Sequence, residues 1–140
     1  MVRAITFDAF GTIIDTGRDV LIQIAGAVCE DHRPSLDPEE LLATWDRHFF
    51  GAEAEAFLTL QEITEDSLAK AFREHTIDAD PTLYVERLVA LWRQAKPYAE
   101  VPEVLAALDG FPRAVVSNAD HAFLEDILHR NGLRFDAYLP

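Results

Sequence analysis

A carboxylate, a glycine and a hydroxyl at Asp8, Gly11 and Thr12 form the first group in this chain suited to covalent chemistry. An ionised carboxylate can attack an electrophilic carbon or phosphorus, form an ester, and be released by water. The residues before it say where it stands. Val2, Ala4, Ile5 and Phe7 fit a short strand covered on both faces, as in a parallel α/β sheet. A carboxylate at the carboxyl end of such a strand lies where α/β proteins place their ligands. Gly11 permits a sharp turn, and Thr12 offers a short donor beside Asp8. The plainer alternative is an Asp that only caps the turn. A second candidate group, Ser117-Asn118, ends another apolar strand just before a helix beginning near Asp120, whose N-terminus favours an anion. Taken without Asp8, this pair reads as an N-cap turn.

Phe7-Asp8-Ala9-Phe10-Gly11-Thr12, followed by Ile13-Ile14-Asp15, resembles the first motif of the haloacid dehalogenase-like (HAD) hydrolase superfamily. Arg113-Ala114-Val115-Val116-Ser117-Asn118 resembles its second motif, where a Ser or Thr binds the substrate's anionic group. The flanks agree: Tyr98 to Leu108 is similar to the helix before that strand, and Asn131 to Asp136 to the segment after the next helix. The resemblance implies that Asp8 is the nucleophile. Thr12 and Ser117 would hold a substrate carboxylate or phosphate, and Asn118 would orient substrate or nucleophile. Family phosphatases carry a second Asp two places after the first, as general acid for an alkoxide leaving group. Phe10 stands there and has no proton to give, whereas a halide needs none. The family's 2-haloacid dehalogenases likewise have an aromatic residue at that place and need no metal. Phe10 therefore favours carbon–halogen hydrolysis and would line the substrate; its bland alternative is packing alone.

Two alternatives stay open. One is a small-molecule phosphatase using Mg²⁺, toward which Asp8 and the Phe10 carbonyl could supply two oxygen ligands. The other is a non-catalytic fragment or interaction module. No cofactor is expected on the dehalogenase reading. Dehalogenases of the family use an arginine from the cap; Arg18, Arg33 and Arg47 are candidates by location, each equally readable as a solvated surface residue. The family's third and fourth motifs, a lysine and an acidic pair, find no match: no Lys follows Lys96 and no acidic residue follows Asp136. The expectation is a truncated or two-piece protein, inactive in this 140-residue form, with an unpaired edge on the strand of Asp8. A complementing C-terminal fragment or a second copy is the partner so implied, beside a small anionic substrate.

The elements that must position these residues divide the chain. Residues 1–15 and 95–140 read as an incomplete α/β core, a HAD-type Rossmann-like parallel sheet, and residues 16–94 as an inserted all-helical cap. Within the insert, helices are expected over 18–30, from Asp37-Pro38 through Phe49, over 52–60, from Thr64 to His75, and from Asp80-Pro81 to Ala95. The core then supplies helix 102–109, strand 113–117, helix 120–130 closed at Gly132, and a strand from Ala137. Trp45, Phe49 and Trp92 read as cap core, and Asp15 as a turn residue.

Composition bounds the rest. Twelve basic and 25 acidic side chains give a net charge of −13. That disfavours nucleic acid and membrane surfaces, which attract basic patches, and leaves anion capture to local donors. The lone Cys29 excludes an intrachain disulfide and fits a reducing cytoplasm. His32, His48, His75, His121 and His129 show no metal-ligand spacing.

Overall fold

A computed structural model describes residues 1–52 and 58–139. It separates into two compact units, Met1–Thr16 with Trp92–Pro140, and Gly17–Leu91. The first is an α/β unit. Its strands β1 (Ile5–Asp8), β2 (Arg113–Val116) and β3 (Ala137–Leu139) form a parallel sheet in the order β1-β2-β3. Because all three run the same way, each connection must cross over. Helix α5 (Val101–Ala107) lies between β1 and β2, and α6 (His121–Arg130) between β2 and β3. Helices α1 to α4 belong to the inserted stretch.

One buried cluster holds this unit together. It joins Val101 and Leu105 of α5, Leu124, Ile127 and Leu128 of α6, Val115, and Ala9, Ile13 and Ile14 from the turn after β1. Phe7 and Tyr138 pack against it from the outer strands, in register with Val115. Strand side chains alternate in direction, so Thr6, Val116 and Leu139 belong to the opposite face. That face departs from the expectation of a strand covered on both sides: all three are exposed. The helices of this unit bury one face only. Among the described residues β1 is an edge strand, as expected.

The turn leaving β1 is tightly wound. The carbonyl of fully buried Ala9 accepts from the backbone N–H groups of Thr12, Ile13 and Ile14 at 3.3, 2.8 and 2.9 Å. Gly11 returns an N–H to the Ile14 carbonyl at 2.9 Å with φ of 80°, a left-handed conformation that side chains resist.

The helical unit is built from α1 (Arg18–His32), α2 (Pro38–Ala52), α3 (Leu60–Glu74) and the body of α4 (Thr82–Arg93). Two starts follow the expected signals: Asp37 accepts from the Glu39 N–H at 3.0 Å, and Asp80 from that of Thr82 at 2.9 Å. The start of α3 does not. Thr59 is its N-cap, and it exchanges bonds with Glu62 in a complete capping box. Thr64, the expected start, is buried mid-helix and donates back to the Leu60 carbonyl at 2.6 Å. The helix expected over 52–60 lies largely outside the described residues. Trp45 of α2 is buried with its indole N–H on Ser67 Oγ at 3.0 Å, whereas Trp92, buried in the α/β unit, has no partner for its own among the described residues.

At the far ends of α2 and α3, Arg47 forks onto the Glu74 carboxylate at 3.1 and 2.6 Å, and His48 reaches it at 2.9 Å. The Arg47 hydrogen bonds outweigh desolvation and hold Glu74 at about 2, below its ordinary 4.5. A depressed carboxylate stabilises the fold fully above its unfolded value and loses that contribution as pH falls. Acid unfolding should therefore show a stability decline from near 4.5 toward 2 that Glu74→Gln flattens; parallel urea titrations across that range would check it. A second expectation concerns Gly11. No atom lies within 4 Å of where its Cβ would be, so Gly11→Ala adds strain without a clash. Thermal unfolding should report a loss of about 1 kcal/mol, the order of the left-handed penalty.

Candidate active site

The turn and the register together assemble the candidate groups. Asp8 is the last residue of β1 and is exposed at the carboxyl end of the sheet. It stands opposite Val116, across one strand spacing of roughly 4.8 Å, and Ser117, the next residue, emerges at the same end. The winding around Ala9 carries Thr12 back toward the strand end. Its Oγ1 donates to Asp8 Oδ2 at 3.1 Å, which fixes the orientation of the carboxylate.

Ser117 is only 5% exposed. Its backbone N–H donates to the Leu139 carbonyl at 3.0 Å, and its Oγ accepts from the Ala119 N–H at 3.2 Å. An oxygen occupied as acceptor leaves the hydroxyl proton to donate elsewhere. Asn118 follows and is exposed. Asp120, the N-cap of α6, makes no side-chain cap bond, so the first-turn N–H groups have no acceptor from it. Asp8 and Thr12 are thus in contact, with Ser117 and Asn118 at the same sheet end.

Phe10 is half-buried, and its ring stacks on Phe123 with centroids 5.8 Å apart and planes 20° apart. The Arg93 guanidinium carbon lies 5.1 Å from the centre of the Phe123 ring. Sequence reasoning passed over both residues. Phe123 reads only as part of an apolar helix face, and nothing in the spacing links Arg93 to it. The three arginines singled out by location are engaged inside the helical unit. Arg18 pairs with Glu39, Arg33 donates to the His75 carbonyl, and Arg47 holds Glu74. His121 lies on α6 with Glu125 at 3.8 Å and is largely exposed.

A divalent cation would need several oxygen ligands. Among the described residues no group of three His, Cys, Asp or Glu side chains is placed to hold one. Asp8 and the Phe10 carbonyl do not fit that ion on their own. No helix among the described residues is long and apolar enough to cross a membrane.

Known proteins share this fold. A family model described as haloacid dehalogenase-like hydrolase matches residues 2–139. Phosphoglycolate phosphatase of Aquifex aeolicus (strain VF5) is 31% identical over 120 residues, covering 83% of this chain and 49% of that protein. The chain therefore spans about half the length of this curated relative. The L-2-haloacid dehalogenase of Xanthobacter autotrophicus matches in structure with a TM-score of 0.71 at 23% identity, over 99% of this chain and 56% of its own. A further L-2-haloacid dehalogenase gives 0.70 at 26% identity, over 99% and 61%. On a sheet that brings Asp8 and Ser117 to the same end, and with the family model matching nearly end to end, the chain belongs to the haloacid dehalogenase-like hydrolases.

Proposed function

We propose that this chain carries the nucleophile and anion-binding half of a hydrolase that displaces halide from short 2-haloacids. The observation that carries this reading is Phe10. Two residues past Asp8, where an alkoxide leaving group would need a general acid, stands a half-buried aromatic ring packed on another ring. The 26% identical solved relative is itself an L-2-haloacid dehalogenase, which supports the same direction.

In the proposed reaction, an Asp8 carboxylate oxygen attacks the carbon bearing the halogen. The new C–O bond forms as the C–halogen bond breaks, and the halide leaves with its electron pair. Water then adds to the Asp8 ester carbonyl, the acyl C–O bond breaks, and a 2-hydroxyacid, a proton and the free carboxylate result. Thr12 holds the attacking group in orientation through its 3.1 Å bond to Oδ2. The Ser117 hydroxyl and Asn118 receive the substrate carboxylate. These neutral donors matter because the chain's net charge of −13 gives an anion no general attraction. A cytoplasmic setting goes with the reading, since the one cysteine, Cys29, is free and buried.

A second reading has its own support. The 31% identical curated relative is a phosphoglycolate phosphatase, which favours Mg²⁺-dependent phosphate-ester hydrolysis at the same Asp8. The two part on a simple assay with the full-length protein expressed from its gene. Halide release from a panel of short 2-haloacids without added metal is expected, and Asp8→Asn should lower it by about a thousandfold or more. Mg²⁺-dependent phosphate release from phosphoglycolate, with no halide from any haloacid, would select the second reading instead.

A further inference from the structure

Phe10 does not hold its place alone. Its partner ring, Phe123, sits in the first turn of α6, and three residues on, the same helix carries Asp126. Side chains three apart share one helix face, so a ring and a carboxylate are presented together. Arg93, the last residue of α4, meets both. Its guanidinium carbon is 5.1 Å from the centre of the Phe123 ring, and its Nη1 is 3.4 Å from Asp126 Oδ2. Asp126 is held from its other oxygen by Arg130 Nε at 3.1 Å.

We infer that Arg93 is a positioning residue for Phe10, acting through Phe123. A guanidinium is flat: it can lie over a ring with its face while donating in-plane to a carboxylate with its edge. Lysine, a compact point charge, cannot do both from one position. Both phenylalanines are half-buried, so the core restrains each ring from one side only. The cation on Phe123, anchored by Asp126, restricts the remaining motion and so sets the face that Phe10 presents beside Asp8. Arg93 itself touches no reacting atom. Its effect on turnover rests on the dehalogenase reading above; its effect on the rings does not.

The test uses the full-length protein with ¹³C-labelled phenylalanine rings, alongside steady-state halide release. Arg93→Lys should shift the Phe10 and Phe123 ring resonances, and Asp126→Asn should shift them the same way through loss of the anchor. Turnover should fall by about two- to fivefold, the size expected of a partly exposed cation–ring contact, with KM unchanged. Unmoved Phe10 resonances in Arg93→Lys would overturn the inference. So would a raised KM with kcat intact, which would place Arg93 on the substrate's anion. If the wild-type protein releases no halide while the rings still respond, the dehalogenase reading fails and the positioning role stands.

Discussion

The carbonyl of Ala9 is the point around which this α/β unit is organised. Three successive N–H groups converge on it, from Thr12, Ile13 and Ile14. That convergence stops β1 immediately after Asp8 and doubles the chain back. One consequence is chemical: Thr12 arrives within hydrogen-bond distance of the Asp8 carboxylate. The other is structural, since Ile13 and Ile14 turn into the cluster with Val115 and Leu128. The same turn that exposes the nucleophile candidate also anchors it. Loosening one therefore loosens the other, and Gly11 is the residue whose conformation lets both be satisfied.

The sheet adds a second constraint of the same kind. Parallel pairing of Asp8 with Val116 fixes which end of β2 stands beside the carboxylate, and Ser117 is simply the next residue. A slip of one position would turn Phe7 and Val115 away from the core, so the hydrophobic pattern protects the site's register. Burial of the strand side chains and the placement of Asp8 near Ser117 are here one requirement.

Much of this was legible in the sequence because it is local. A strand ending in Asp8, a glycine turn, a returning threonine and a strand ending in Ser117 are each set by neighbours along the chain. So are the Asp-Pro starts of α2 and α4. The failures share a cause as well. At Thr64 a hydroxyl followed by acidic residues imitates a helix start, but Thr59 and Glu62 close a reciprocal pair that wins the position. The exposed face of β1 depends on which helices cover the sheet, and apolar content in four residues cannot report it. Arg93 escaped notice because its partners, Phe123 and Asp126, lie on another helix far along the chain. Location in the cap pointed instead to Arg18, Arg33 and Arg47, whose partners are equally remote in sequence.

The two tryptophans have a consequence of a different sort. Trp45 lies in the helical unit with its indole bonded to Ser67, and Trp92 lies buried in the α/β unit without a partner for its N–H among the described residues. They are the chain's only tryptophans. Each unit thus contains one tryptophan, and the two differ in whether the indole N–H has a hydrogen-bond partner among the described residues. Tryptophan emission from the native protein is therefore a sum of one contribution from each unit.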